Sequence, residues 1–449
     1  MKLNSIVAKS TVVAALGGLL FGFDTAVISG ATHSLSLVYR LSPALLGFTV
    51  SSALWGTVLG AMLAGIPGQR FGRRDSLRAM AIFYLISALG CAAAWNWPAL
   101  IFFRFLGGIG IGGSSVLGPM YIAEVSPAKW RGRLVGFFQV NIVVGILLAY
   151  LSNLFLATLG LGVHEWRWQL GVSAIPAFCF LLALFFIPRS PRWLTTQSRL
   201  DEALSILRLT GIDAPEDELQ QIIASVRLEM SKAGDRLFSR QYRIPVFLAI
   251  SVGMFSQLTG INAVLYYLND IFAMSGSSKL SGSLQAVVIG LTNLIATLMA
   301  MSVIDRFGRR KLLLSGTVGL AVCLGAIAYI FFTKSHMEML VWLLIFYIAC
   351  FAVSHGAVVW VYISEVFPTR VRSKGQSLGS SAHWITNAAI SSVFPLMAKS
   401  SGAYPFLFFA IMMVVDFFIV LAYYPETSGV SLEQMQQRLG AQPEFDQVS

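Results

Sequence analysis

Long apolar runs recur along the whole sequence, and each is long enough to cross a lipid bilayer. A spanning helix needs about 20 apolar residues. Charged residues make up only 12% of the 449 residues, against roughly 25% in an ordinary soluble domain, so the chain cannot cover a soluble surface. Runs bounded by charges predict twelve spans, at 11–31, 44–66, 78–95, 99–122, 134–158, 169–187, 244–273, 283–304, 312–333, 339–363, 376–398 and 404–424. The sequence therefore indicates an all-α integral membrane protein.

Charge distribution predicts the orientation of these spans. The net charge of +11 is compatible with nucleic-acid binding, but the lysines and arginines concentrate in alternate loops, as the positive-inside rule requires. We therefore expect no nucleic-acid partner. The pattern predicts that both termini and the polar stretch 189–243 lie in the cytoplasm. The four cysteines are scattered inside predicted spans, where they act as small apolar packing residues.

The sequence repeats itself once. Three motifs recur at nearly one offset: Arg-Phe-Gly-Arg-Arg at 70–74 and 306–310, Tyr-Ile-Ala-Glu-Val-Ser-Pro at 121–127 with Tyr-Ile-Ser-Glu-Val-Phe-Pro at 362–368, and Pro-Arg-Ser at 188–190 with Pro-Glu-Thr at 425–427. This predicts two parallel six-helix repeats, and such proteins bind solute near the membrane midplane between the repeats. We expect a first half at 1–188, a linker at 189–243, a second half at 244–425 and a tail at 426–449.

The linker is the one long polar stretch, and it reads as two helices. The first covers Asp201–Leu209, and Pro215 opens the second, with acids in its first turn where they favour the helix dipole. An apolar stripe of Ile222, Ile223, Val226 and Met230 has helical spacing. We interpret the stripe as a packing face.

Several motifs together identify a family. They are Gly-Gly-Leu-Leu-Phe-Gly-Phe-Asp at 17–24, Arg-Phe-Leu-Gly-Gly at 104–108, Pro-Met-Tyr-Ile-Ala-Glu-Val-Ser-Pro at 119–127, Gln-Leu-Thr-Gly-Ile-Asn-Ala-Val-Leu-Tyr-Tyr at 257–267, Asp-Arg-Phe-Gly-Arg-Arg at 305–310 and Pro-Glu-Thr at 425–427. With them the chain resembles the sugar porter family of the major facilitator superfamily, and within it the bacterial proton-coupled sugar symporters of the xylose–proton type.

The resemblance implies the major facilitator fold of twelve transmembrane helices and the uptake of a monosaccharide, a pentose or hexose, by alternating access. It implies a multi-pass protein of the bacterial inner membrane, a monomer in the lipid bilayer, with the proton as coupling ion and no other cofactor. Gly108, Gly110 and Gly113 fit a dinucleotide-binding spacing but fall inside a predicted span with no preceding strand. Without a catalytic or metal-ligand cluster in the sequence, we expect no enzymatic activity.

Two charges inside predicted spans are candidates for proton coupling. Asp24 lies in the first span and Arg104 near the start of the fourth, where a charge costs about 2.5–3.5 kcal/mol on insertion scales. An aspartate beside an arginine stays ionised, and one that is moved away or desolvated takes up a proton. The family resemblance implies the same role. Passive glucose facilitators lack this acid, so Asp24 favours symport over the alternative, a passive sugar or polyol uniporter.

A sugar site is expected to be neutral, polar and aromatic, since amides both donate and accept hydrogen bonds and indole offers a flat face. The resemblance implies that the substrate-binding residues are Phe21, Gln139, Ser256, Gln257, Asn262, Tyr266, Tyr267, Asn293, Trp360, His383 and Trp384. Two of them depart from the family pattern. Ser256 stands where a second glutamine is frequent, and His383 stands where an amide is usual, so we do not transfer xylose as the substrate. No role is assigned to His355 or Asp416.

The repeated motifs also predict a cytoplasmic gate. The resemblance implies an inter-helix salt-bridge network formed by Arg74, Glu124, Arg131, Asp305, Arg306, Arg310, Glu365 and Arg372. Two departures remove negative partners from the first half: Gln69 replaces a usual aspartate and Arg189 a usual glutamate. We therefore expect the inward-facing state to be easier to reach than in a typical member.

Overall fold

The structure, a computed structural model, describes residues 4–127, 129–212, 214–231, 237–368, 371–428, 430 and 434–435. The side chains of residues 228–231, 303, 305, 306 and 373 are also outside the described part. The regular structure of the described residues is helical. The helices are α1 (Ser5–Tyr39), α2 (Pro43–Leu63), α3 (Gly65–Arg70), α4 (Arg73–Ala93), α5 (Trp97–Val125), α6 (Arg131–Thr158), α7 (Glu165–Gly171), α8 (Ala174–Ala183), α9 (Pro191–Thr196), α10 (Leu200–Leu209), α11 (Pro215–Ser231), α12 (Arg243–Leu258), α13 (Ile261–Tyr266), α14 (Leu268–Met274), α15 (Lys279–Phe307), α16 (Arg309–Thr333), α17 (Leu340–Val353), α18 (His355–Val366), α19 (Arg372–Ser400) and α20 (Ala403–Tyr423).

The predicted all-α membrane fold is confirmed. Among the described residues, eleven helical segments are long and apolar enough to cross a membrane by length and composition. The remaining predicted span, 376–398, forms the 29-residue helix α19. This helix is long enough to cross, but serines and other polar residues lower its hydropathy.

Four predicted spans are interrupted, which hydropathy does not reveal. The span 44–66 passes from α2 into α3. The span 169–187 divides into α7 and α8, 244–273 into α12, α13 and α14, and 339–363 into α17 and α18. Between α12 and α13, Gly260 has φ of +84°, a conformation that glycine adopts without strain. Between α17 and α18, Ser354 leaves the helical region with φ of −106° and ψ of −97°. Apolar composition continues across these breaks, so only the backbone shows them.

One compact unit contains Met1–Ala233, Leu265–Asp270 and Ser278–Gly290. Its helices pack as close pairs, α1 with α6 and α2 with α5. A Cβ at Gly22 would lie 1.8 Å from the carbonyl oxygen of Ile142, and one at Gly108 would lie 1.9 Å from that of Ala53. Only glycine permits such backbone contact, which is typical of small-residue packing between membrane helices.

The linker helices belong to this first unit. As predicted, α10 ends at Leu209 and α11 begins at Pro215. Their apolar sides enclose a small core around Trp193 and Leu194, and the indole nitrogen of Trp193 donates to the carbonyl oxygen of Gln69 at 2.8 Å. The stripe is therefore a packing face, although the side chain of Met230 is outside the described part.

The second unit contains Gly234–Val264, Ile271–Ser277 and Leu291–Ser449, in its described residues. Here α16 packs against α20 and α17, and α12 packs against α19 and α18. The α12–α19 contact is close at Gly253, where a Cβ would lie 2.6 Å from the carbonyl oxygen of Gly379. This contact brings the polar residues at the end of α12 beside those in the middle of α19.

Candidate functional site

The first unit holds Arg104 rigidly on α5. Gly108, one helical turn later, contacts the backbone of α2, so Arg104 on the same face reaches α2 one turn earlier. Its Nε donates to the carbonyl oxygen of Thr49 at 3.2 Å, and its Nη2 lies 3.5 Å from that of Val50. The side chain is only 3% exposed. The guanidinium therefore has backbone partners that do not depend on its acidic neighbour.

Asp24 faces this arginine from α1 but is held less tightly. Its Oδ2 lies 3.8 Å from Nη2 of Arg104, and the carboxylate side chain is 27% exposed. At this separation the two groups form an ion pair but not a hydrogen bond. The carboxylate can therefore gain a proton without leaving Arg104 unsatisfied.

The charged pair lines a cavity within the first unit. Two aromatic side chains predicted to contact sugar, Phe21 and Tyr266, line the same cavity. Of the other predicted sugar residues in this unit, Gln139 is half-buried on α6 and Tyr267 is buried between α13 and α14. The remaining lining residues are Thr25, Val50, Ala53, Leu54, Thr57 and Ile111.

In the second unit, four predicted sugar residues lie in one chain of hydrogen bonds. The Ser256 hydroxyl donates to the carbonyl oxygen of Gly253 at 2.9 Å, and its oxygen lies 2.9 Å from Nδ1 of His383. The amide nitrogen of Gln257 lies 2.9 Å from Nε2 and 3.3 Å from Nδ1 of His383. Finally, Oε1 of Gln257 accepts from Asn262 at 2.9 Å. The direction of the histidine contacts depends on the tautomer of His383.

The two departures from the family pattern are therefore partners in space. Ser256 and His383 are 127 positions apart in sequence yet share a hydrogen bond, so the short hydroxyl and the longer imidazole complement each other. Trp360 lies 4.8 Å and Trp384 5.3 Å from the His383 ring, between ring centroids. Trp360 is 40% exposed and offers an open aromatic face. Asn293 is buried on α15, outside the hydrogen-bond chain.

The repeated motifs converge in the first unit. Arg73 of the Arg-Phe-Gly-Arg-Arg motif binds Oε1 of Glu124 at 2.9 Å. Ser190 of the Pro-Arg-Ser motif donates to the other carboxylate oxygen of Glu124. The Tyr121 hydroxyl donates to the carbonyl oxygen of Pro188 at 2.8 Å. We call Arg73, Glu124, Ser190 and Tyr121 the first repeat cluster.

The same contacts recur in the second unit. Arg309 binds Oε1 of Glu365 at 3.1 Å, Thr427 donates to Oε2 of Glu365 at 2.6 Å, and the Tyr362 hydroxyl donates to the carbonyl oxygen of Pro425 at 3.3 Å. These four residues form the second repeat cluster. The duplication inferred from sequence thus extends to individual hydrogen bonds.

Other predicted gate residues have different surroundings. Arg74 contacts Asp75 and the carbonyl oxygen of Ile187, and Arg310 donates to that of Leu421. Arg131 is exposed at the start of α6, and Arg372 lies 3.4 Å from the carbonyl oxygen of Phe367. The side chains of Asp305 and Arg306 are outside the described part.

Sequence reasoning missed the arginines that bind the two glutamates. The expected network placed Glu124 and Glu365 with Arg131 and Arg372, and the structure pairs the two glutamates with Arg73 and Arg309. Both stand at the fourth position of the repeated Arg-Phe-Gly-Arg-Arg motif. The repeat therefore contained the signal, but spacing along one helix did not reveal a contact between helices.

Comparison with known proteins agrees with this geometry. The model of the family described as "Sugar (and other) transporter" matches residues 10–439. The chain belongs to this family. The D-xylose-proton symporter of Escherichia coli strain K12 is 36% identical over 471 residues, with 96% of each chain covered. The arabinose-proton symporter of Bacillus subtilis strain 168 is 36% identical over 431 residues, with 94% of this chain and 93% of that protein covered.

Solved structures extend the comparison to the fold of this sugar transporter family member. The xylose transporter of E. coli in a partially occluded inward-open conformation matches with a TM-score of 0.86 at 34% identity, over 95% of this chain and 100% of that one. The proton:xylose symporter bound to 6-bromo-6-deoxy-D-glucose, described as a major facilitator superfamily protein, matches with a TM-score of 0.80 at 34% identity, over 97% and 99% of the two chains. The major facilitator fold and the family resemblance are thereby confirmed.

Proposed function

We propose that this protein is a secondary active transporter that couples the uptake of a monosaccharide to proton entry by alternating access. The observation that carries the proposal is the pair formed by Asp24 and Arg104. Its arginine is buried and bound to the backbone of α2, whereas its acid is partly exposed in a cavity at 3.8 Å. The similarity to proton symporters for xylose and arabinose supports the same activity.

The geometry provides a physical basis for coupling. When Asp24 is ionised, Arg104 neutralises a charge that would otherwise cost several kcal/mol in the membrane. Protonation removes the attraction between the two groups and so weakens one of the contacts between α1 and α5. At 100 mV, each proton supplies about 2.3 kcal/mol. That energy supports roughly fifty-fold accumulation of a neutral sugar.

We assign sugar recognition to neutral groups. Asn262 and Gln257 stand at the open end of the hydrogen-bond chain, where their remaining amide atoms can bind sugar hydroxyls. Trp360 supplies an aromatic face for the apolar side of a sugar ring. The proposed set also retains Phe21, Gln139, Tyr266, Tyr267, Asn293, Ser256, His383 and Trp384. A pentose or hexose fits this chemistry because it is uncharged and rich in hydroxyls.

We also propose the topology and gate. The two repeat clusters, with Arg74, Arg131, Asp305, Arg306, Arg310 and Arg372, form the cytoplasmic gate, and both termini lie in the cytoplasm of a bacterial cell. The halves are 1–188 and 244–425, joined by the linker 189–243, with the tail at 426–449. We expect a monomer in the lipid bilayer that requires no cofactor apart from the proton and has no enzymatic activity.

Replacement of Asp24 by asparagine tests the coupling. In proteoliposomes, D-xylose, L-arabinose, D-glucose and D-galactose are screened for uptake with and without an inward proton gradient. We expect Asp24→Asn to abolish uphill uptake while counterflow exchange persists, because the amide cannot carry the proton. Asp217→Asn, at an exposed linker position, is the matched control. Uphill uptake by Asp24→Asn would contradict the assignment, and wild-type uptake that ignores the proton gradient would indicate a uniporter.

A further inference from the structure

The second unit contains a buried acid–base pair that the transport proposal does not use. His355 is the first residue of α18, and Asp416 lies within α20. Nε2 of His355 is 2.9 Å from Oδ2 of Asp416, and each side chain is 1% exposed. Both residues fall in segments apolar enough to span a membrane. Groups of this kind are costly in such surroundings and are typically functional.

The hydrogen bonds around His355 indicate where its protons lie. The Ser354 hydroxyl donates to the carbonyl oxygen of Cys350 at 2.6 Å, so its one proton is already used. Nδ1 of His355 lies 3.4 Å from the same hydroxyl oxygen, which can then accept a hydrogen bond from it. With Nδ1 protonated, a neutral imidazole presents a lone pair at Nε2. A lone pair and a carboxylate oxygen repel each other at 2.9 Å unless one proton lies between them.

Charge balance leads to the same result. With a shared proton, the pair is neutral overall, either as imidazolium with carboxylate or as imidazole with carboxylic acid. Without that proton, Asp416 would be a buried carboxylate, which is strongly disfavoured unless a cation compensates it. The salt-bridge partner of Asp416 among the described residues is His355.

Other charges on the surrounding helices do not replace that partner. The lysines and arginines of the helices packed against α18 and α20 lie near helix ends: Arg243 on α12, Arg309, Arg310 and Lys311 on α16, and Arg372, Lys374 and Lys399 on α19. Tyr347 on α17 donates to the carbonyl oxygen of Thr259, and Tyr424 after α20 pairs with Ser251. Cys323 on α16 and Cys350 on α17 are the nearby thiols, and they interact with each other.

His383 on α19 provides an internal comparison. There too the histidine has a serine hydroxyl at Nδ1, and that hydroxyl also contacts a carbonyl oxygen of its own helix. The difference lies at Nε2, which faces the amide of Gln257 in one case and the carboxylate of Asp416 in the other. An amide supplies its own proton, whereas a carboxylate requires an additional one.

We propose that His355 and Asp416 form a second proton-binding site, separate from Asp24 and Arg104. The site binds one proton between Nε2 and Oδ2. Because His355 directly follows the helix interruption at Ser354, movement of α18 away from α20 would separate the two groups. The bound proton and the α18–α20 contact therefore depend on each other.

Spectroscopy of the wild-type protein at pH 7 tests the site without any transport measurement. Nitrogen-15 NMR of labelled histidine reports the protonation of His355, and infrared spectroscopy reports the state of Asp416. Two results support the proposal: an imidazolium beside a carboxylate, or an imidazole protonated at Nδ1 beside a carboxylic acid. An imidazole protonated only at Nε2 beside an ionised Asp416 would overturn it.

Variants assign the signals and provide controls. Asp416→Asn should leave a neutral imidazole at His355 and remove the Asp416 carboxyl band, while the His383 signal stays neutral and unchanged. If Asp416→Asn fails to fold, substitution of His33, His164, His336 and His383 in turn identifies the His355 signal by elimination. Since none of these measurements involves sugar or a proton gradient, failure of the transport proposal would leave this result unaffected, and the reverse is also true.

Discussion

The two repeat clusters make the same contacts, but one residue beside each cluster carries opposite charges in the two units. In both units, an arginine of the Arg-Phe-Gly-Arg-Arg motif binds a glutamate, and a hydroxyl from the end of the half donates to the same glutamate. The residue just before that hydroxyl differs. It is Arg189 in the first unit and Glu426 in the second.

This difference changes what each cluster stabilises. Arg189 lies 3.2 Å from Oδ2 of Asp75, and the other carboxylate oxygen, Oδ1, accepts from Arg74 and Arg78. Glu426 instead accepts from the backbone N–H groups of Arg309 and Arg310 at 2.8 and 3.1 Å. The second unit thus caps the start of α16 with a carboxylate, whereas in the first unit Arg189 contacts a side chain of α4 instead.

The comparison separates what the repeat must keep from what it can change. Arginine, glutamate and hydroxyl form one interlocked set, in which the loss of any member leaves a charged or polar group without its partner. The neighbouring position is not a member of this set: Arg189 contacts Asp75, whereas Glu426 contacts backbone N–H groups. It can therefore carry either charge, provided that the helix start beside it is adjusted.

Removal of the central glutamates should have the largest effect. Glu124→Gln leaves Arg73 without its carboxylate and should lower the free energy of unfolding by about 2 kcal/mol. Glu365→Gln should cost about 1 kcal/mol, because the Glu365 side chain is 25% exposed against 8% for Glu124. Thermal unfolding of the purified variants measures both. Equal losses would show that burial does not distinguish the clusters.

Replacement of Arg189 by glutamate, the residue at the equivalent position of the second unit, should have an intermediate effect on stability. Arg189→Glu places two carboxylates together and should reduce stability by about 1 kcal/mol. Arg189→Glu combined with Asp75→Asn should recover most of this loss, because the new glutamate can then cap α4. Arg189→Gln is the control for simple loss of the cation. If the double variant is less stable than Arg189→Glu alone, positions 189 and 426 are not equivalent.

The same substitution tests the expected ease of the inward-facing state. If Arg189 weakens the gate, Arg189→Glu combined with Asp75→Asn should slow the labelling of a single cysteine introduced at the cytoplasmic end of a cysteine-free protein. Faster labelling would contradict this expectation. A cysteine on the opposite side of the membrane should respond in the opposite direction.

Loss of the cap in the second unit should have the smallest effect. Glu426→Gln keeps one acceptor but removes the negative charge from the start of α16, a change of about 0.5 kcal/mol. Glu338→Gln, an exposed position outside the cluster, is the control. A loss as large as that of Glu365→Gln would mean that the cap belongs to the interlocked set.

Hydropathy located the membrane helices because burial in lipid depends on composition, and composition is visible in sequence. Hydropathy did not reveal the helix breaks at Gly260 and Ser354, because they are changes of backbone conformation within apolar stretches. Motif repetition indicated which residues belong to the clusters, but not that Arg73 rather than Arg131 binds Glu124. That choice depends on which helices are neighbours.

In the polar site, too, the sequence indicated the chemical groups, and only the structure shows which of them are neighbours. The sequence indicated Ser256 and His383 as separate departures from the family pattern, and only the α12–α19 contact shows that they complement each other. His355 and Asp416 carried no assignment, because each alone resembles an isolated polar residue. They become significant because the structure brings Nε2 of His355 within 2.9 Å of Oδ2 of Asp416, although the two residues are 61 positions apart in sequence.

The glycine contacts of the first unit give the 3.8 Å gap between Asp24 and Arg104 a further meaning. Backbone contact at Gly22 locks α1 to α6, and contact at Gly108 locks α2 to α5. The acid belongs to one rigid helix pair and the arginine to the other. The distance between Asp24 and Arg104 therefore reports how the two helix pairs are placed, and protonation of Asp24 changes the electrostatic force between them. Protonation of a single carboxylate can in this way change the placement of whole helices.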